Sequence, residues 1–132
     1  SDVERFYLSD DADRAEQQAM IWLAVCRTYR FVHEFAVEVI NERYQSWRLE
    51  LGHEAFDRFF TVKAEGNQDL AKLSSSTCAK LRQVLFRMLR EAGLQSIDGK
   101  IQHIWLSRRM KQLIDDNNPA DFQVFPGNGV SL

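Results

Sequence analysis

Apolar side chains recur at three- and four-residue intervals along most of this chain, and that period belongs to one face of an α-helix. Val32, Phe35, Ala36, Val39, Ile40, Tyr44 and Trp47 form such a series, with Glu34, Glu38, Glu42 and Gln45 on the other side. The spacing predicts a helix over 31–47. Upstream, Ser9-Asp10-Asp11-Ala12-Asp13 supplies capping oxygens and acids that suit the positive end of a helix dipole. A helix is expected to start there and to run through the apolar stretch 19–26 to Tyr29. That stretch is apolar nearly all round, so its helix should be central in its subdomain. A third helix, over 53–64, should bury Phe56, Phe59 and Phe60 and stop at Gly66-Asn67.

The spacing then tightens. Residues 68–73 allow one short helix of about two turns. The hydroxyls of 74–77 can cap a long helix that runs to Ala92, with Gly93 at its end. Asp98-Gly99 is a strong hairpin turn signal, and Ile97, Ile101, Ile104 and Trp105 beside it suit short strands. Ser107 should start a last helix over 108–115. Pro119, Pro126, Gly127 and Gly129 make the tail read as irregular. Trp22, Trp47 and Trp105 read as core residues. The expected architecture is mostly α: an acidic helical subdomain (1–52) packed on a basic winged-helix-like subdomain (53–116) with one short β-hairpin, then the irregular tail (117–132).

Composition narrows the function. No stretch approaches the roughly 20 apolar residues of a membrane span. Cys26 and Cys78 are too few for a disulfide framework or a zinc site, which fits a reducing cytosol. His33, His53 and His103 have no spaced carboxylate or cysteine partners, so no metal or other cofactor is expected. No nucleophile motif and no phosphate-cradling glycine loop is present, and nothing argues for an enzyme. The net charge of −2 hides a segregation. Residues 1–70 carry 8 Lys/Arg against 14 Asp/Glu, whereas 71–111 carry 9 Lys/Arg against Glu91 and Asp98 alone. Such asymmetry points to halves with different partners.

The helix of the basic half divides into two stripes. Cys78, Leu81, Leu85, Met88 and Ala92 make a core stripe, with Val84 and Leu89 at its edges. Opposite run Ser76, Lys80, Gln83, Arg87 and Arg90, all hydrogen-bond donors and three of them cations. Such a face can enter a major groove, where Gln and hydroxyls reach base edges and Arg grips guanine or phosphate. Ser75, Ser76 and Thr77 at the helix start can meet a phosphate. Lys100 and His103 in the expected wing, with Arg108 and Arg109 after it, would widen one positive surface whose affinity comes from counterion release. These residues make double-stranded DNA the expected partner.

The run from Leu70 to Leu94, through Ser74-Ser75-Ser76-Thr77-Cys78-Ala79-Lys80-Leu81 and Arg87-Met88-Leu89-Arg90-Glu91-Ala92-Gly93, resembles the BrxA family of small accessory proteins of BREX bacteriophage-exclusion systems. Leu23-Ala24-Val25-Cys26-Arg27-Thr28-Tyr29 and Leu51-Gly52-His53-Glu54-Ala55-Phe56 fit as well, and the resemblance covers about residues 8–114. It implies an all-helical fold likened to the antitermination factor NusB. It also implies DNA binding and a role in phage defence beside other BREX proteins. It brings no catalytic motif. The family is typically longer, with a basic N-terminal helical segment that this sequence lacks, so a C-terminal fragment is expected. Two alternatives stand beside DNA binding: a scaffold that docks other defence proteins through Glu34, Glu38 and Glu42, and RNA binding by analogy with NusB.

Overall fold

A computed structural model describes residues 2–128, with side chains described from Asp13 onward. Its element order is α1 (Asp2–Thr28), α2 (Arg30–Phe35), a π-helical turn (Ala36–Asn41), α3 (Glu42–Gln45), α4 (His53–Glu65), α5 (Gln68–Ala71), α6 (Ser75–Glu91), α7 (Arg108–Asn117) and a 3-10 helix (Pro119–Val124). The chain is thus mostly helical, as its periodicity requires. Among the described residues no strand forms.

Several ends follow sequence chemistry. Asn67 caps α5, its side chain accepting from the amides of Asp69 and Leu70. Ser74 caps α6 by accepting from the Thr77 amide, and Ser107 caps α7 by accepting from the Met110 amide. Such caps satisfy amides that the helix leaves without a carbonyl partner. Gly93 takes φ +80° just after α6, a conformation that glycine adopts without Cβ strain.

Other ends differ from expectation. α1 starts at Asp2, so the acidic run 9–13 lies within the helix rather than at its start. α5 is a single turn of four residues, not two turns. The 31–47 helix is continuous from Arg30 but carries the π turn in its middle, with helical φ and ψ at both junctions. It ends at Gln45. There the amide of Trp47 bonds the carbonyl of Tyr44, and the amide of Arg48 bonds that of Arg43. This closure needs a left-handed residue where glycine is usual, and here it is Trp47, at φ +60°. A tryptophan in that well costs about 1–3 kcal/mol. Trp47 is 86% exposed and Trp105 84% exposed, so two of the three tryptophans expected in the core stand in solvent.

The core is one cluster of buried side chains drawn from residues 19–125. Phe31 and Phe35 meet Phe56 and Phe59 at ring-centroid distances of 5.2–6.0 Å, and Phe35 reaches Phe86 of α6 at 6.5 Å. The helix of the apolar run 19–26 is central on one side only. Trp22, Leu23 and Cys26 are buried, while Met20 and Ile21 face outward. Burial, with the Asp121 carboxylate adding to it, pushes the Cys26 thiol well above its ordinary value.

The tail is not irregular over its described residues, which end at Asn128; Gly129 lies outside them. Pro119 opens the 3-10 helix, whose Val124, with the following Phe125, is fully buried. The Trp22 indole donates to the Val124 carbonyl at 2.9 Å, and Arg27 pairs with the buried Asp121 at 2.9 Å. α1 and the tail are thereby clasped across the core.

The expected hairpin is a pinned turn. Gly99, at φ +84°, donates to the Ser96 carbonyl, and the Ser96 amide donates to that of Lys100. In place of strands there are two isolated bridges, Gln95 to Ile101 and Glu50 to Lys100. The flanks pair across the turn only in part, through Ser96 to Lys100 and Gln102 to Leu94. Leu51 donates to Gly99 and Ile101 to Leu49, so the loop before α4 takes up the pairing that strands would need.

Candidate nucleic-acid interface

α6 positions the donor stripe. Leu85, Phe86 and Leu89 bury its inner face, and Ser76, Lys80, Gln83, Arg87 and Arg90 are all exposed on its outer one. The core side is rotated from the expected one. Val84 is 36% exposed, whereas Phe86, expected on neither stripe, is buried against the His53 ring at 4.8 Å. The rotation leaves the donor stripe on the solvent side.

A shallow groove gathers part of this stripe. Ser76, Lys80, Gln83 and Arg90 line it together with His53, Arg82 and Phe86. His53, the first residue of α4, escaped the sequence reading, because only the crossing of α4 and α6 brings it to this helix. Arg87 is exposed on the same stripe outside the lining of the groove. Among the described residues, Lys80, Arg87 and Arg90 make no ion pair and no side-chain hydrogen bond. Arg82 differs: it grips both oxygens of Asp57 at 3.0 Å.

At the helix start the hydroxyls bond one another. Ser74 Oγ donates to Thr77 Oγ1 at 2.9 Å and lies 3.1 Å from Ser76 Oγ. Ser75 is exposed beside them, and it lines a separate hollow with Asp57 and Arg82.

The residues outside α6 are placed differently from one another. Lys100 and Arg108 are exposed and make no ion pair among the described residues. Arg109 faces Glu16 of α1 at 3.9 Å, and that carboxylate also accepts from Ser107 at 2.7 Å. His103 is half-buried, with Nδ1 3.0 Å from the Tyr44 hydroxyl and its ring stacked on Trp105. In the turn, the Ser96 hydroxyl holds the Asp98 carboxyl below its usual range, so a carboxylate stands close to Lys100.

The acidic face of the first half is internally paired. Glu34 holds Arg30 at 2.9 Å and Lys63 at 3.0 Å, Lys63 also holds Glu38 at 3.1 Å, and Glu42 holds Arg48 at 3.2 Å. No helix among the described residues is long and apolar enough to cross a membrane.

A family model described as BrxA matches residues 2–118, a span that includes the π turn, the groove and α7. A protein of Bacillus cereus (strain H3081.97) described as "BREX protein BrxA" is 31% identical over 81 residues, which make up 61% of this chain and 40% of that relative. The match therefore leaves more than half of that relative's length outside it.

Proposed function

The chain belongs to the BrxA family, and from that premise we propose that it is an accessory part of a BREX defence system that holds double-stranded DNA on the outer face of α6. The observation that carries the reading is the exposed stripe of Lys80, Gln83, Arg87 and Arg90, whose three cations have no acidic partner among the described residues. A cation without a protein partner holds only counterions, and transferring it to a phosphate releases them. Gln83, between the cations, is the group placed to reach a base edge. Lys100 and Arg108 are further exposed cations for flanking phosphates. Ser75, Ser76 and Thr77 offer hydroxyls at the positive end of the helix. Catalysis has no part in this reading, and other BREX proteins are its expected company.

The scaffold alternative, docking through Glu34, Glu38 and Glu42, is weakened by the pairing of all three carboxylates within the chain. The RNA alternative rests on analogy of fold and has no residue of its own here.

Anisotropy of a labelled duplex, titrated with the chain across a salt series, tests the proposal. Log affinity should fall linearly with log salt, by about 0.9 for each phosphate neutralised. Replacing Lys80, Arg87 and Arg90 together by Ala should weaken binding by about a hundredfold and flatten that slope, with helical circular dichroism intact. A triple variant that holds duplex as tightly as the parent refutes the assignment. Competition with single-stranded RNA separates the RNA alternative.

A further inference from the structure

Trp105 is exposed, yet it is held in place. Its ring lies 3.9 Å from the His103 imidazole, centroid to centroid, at 22°, a near-parallel stack. His103 is fixed from two further sides. The Tyr44 hydroxyl meets Nδ1 at 3.0 Å, and the backbone of Gly127 passes so close that any side chain there would run into the ring. Two distant segments thus hold an imidazole beneath an indole that is 84% exposed.

The surroundings narrow what could cover the indole. Along the chain its exposed neighbours are Lys100, Gln102 and Arg108, while Ile101 and Leu106 are buried. Docking to a protein or a lipid surface favours a contiguous apolar patch, whereas the exposed chain neighbours of this ring are polar or cationic. A flat ring carried on an anionic backbone fits better. It can extend the imidazole–indole stack, and Lys100 and Arg108, exposed and close by in sequence, are the cations to meet its phosphates. Base pairs inside a duplex offer no free face to such a platform, so the matching ligand is a base outside the stack.

We propose that Trp105, with His103 and Tyr44 as positioning residues, stacks on an unpaired nucleobase of bound DNA. The inference rests on DNA binding by the chain.

The test compares a blunt duplex with the same duplex carrying a short single-stranded thymine overhang, both read by anisotropy. The parent should prefer the overhang by about tenfold, the scale of one base stacked on an aromatic ring. Trp105→Ala should lose that preference and bind blunt duplex as the parent does. Trp105→Phe should keep most of the preference, and Trp105→Leu, of similar bulk but without a π face, should lose it; this pair carries the contrast if the Ala variant folds poorly. Tyr44→Phe should lower the preference in part without changing blunt-duplex affinity. A parent with no preference, or a Trp105→Leu variant that retains it, overturns the stacking and leaves the α6 reading intact. Failure of both DNAs to bind overturns both.

Discussion

The acidic face of the 30–45 helix and the basic face of α6 carry three charges each, and the fold treats them oppositely. Glu34, Glu38 and Glu42 are met by Arg30, Lys63 and Arg48, and Lys63 also lies 5.3 Å over the Phe59 ring. Glu34 and Glu38, through Lys63, help fasten α2 and the π turn to α4. Lys80, Arg87 and Arg90 meet no acid among the described residues. A tally of charge along the sequence distinguishes the two halves by sign alone. Internal pairing is what separates a face occupied in holding the fold from a face left available to a ligand.

The sharpest way to break this comparison is to neutralise each face in turn. The Lys80→Ala, Arg87→Ala, Arg90→Ala combination should weaken duplex binding by about a hundredfold while the thermal midpoint hardly moves. Glu34→Gln should do the reverse, lowering stability by about 0.5–1 kcal/mol and leaving duplex affinity unchanged. The pH dependence has a definite sign. The hydrogen bond from Lys63, helped by Arg30, holds the Glu34 carboxyl below its ordinary value against the opposing effect of burial. Its stabilisation is therefore full above the ordinary carboxylate range and is lost as pH falls through the lowered one. The Lys63 ammonium is raised, chiefly by Glu34 and then by Glu38, so its share persists below the ordinary lysine value and is lost as pH rises through the raised one. Thermal midpoints of parent and Glu34→Gln, followed from neutral to acid pH, should converge as the carboxyl protonates. Curves that stay parallel would show that Glu34 gains nothing from its partners.

Much of this was legible in the sequence where local chemistry decides the outcome. Ser74 and Ser107 cap the helices they precede, Gly93 ends α6, and the stripe from Ser76 to Arg90 faces water because Leu85 and Leu89 must not. What escaped depends on contacts distant in sequence or on one residue out of its period. Trp47 follows Tyr44 at helical spacing, but the helix closes at Gln45, so the next position in the series turns out to solvent. The two prolines made the tail look irregular, yet Val124 and Phe125 are buried and the Val124 carbonyl is held by Trp22, about a hundred residues away. The Asp98-Gly99 turn formed as its chemistry demands, while its flanks pair with each other only briefly and share their remaining bonds with the loop 49–51. Nothing in the spacing of Ile104-Trp105-Leu106 distinguishes a stacked surface indole from a buried one.

Arg82 supplies the finest discrimination, because it sits on α6 within two residues of Lys80 and lines the same groove. Charge counting alone makes it equivalent to Arg87. Pairing makes it different, since both of its contacts to Asp57 hold it at 3.0 Å, with the arginine side chain 29% exposed. Moving it to a phosphate would strip the carboxylate shared by one of its nitrogens and recover little. Arg82→Ala should therefore cost about 0.5–1 kcal/mol of stability, the range of a surface ion pair. It should leave the salt slope of duplex binding near the parent's, whereas Arg87→Ala should lower that slope by about one phosphate and leave stability unchanged. Measuring both variants in the same salt series reads the two effects side by side. Equal losses of slope would mean that Asp57 releases Arg82 on binding, and that static pairing is a poor guide to which cations this face offers.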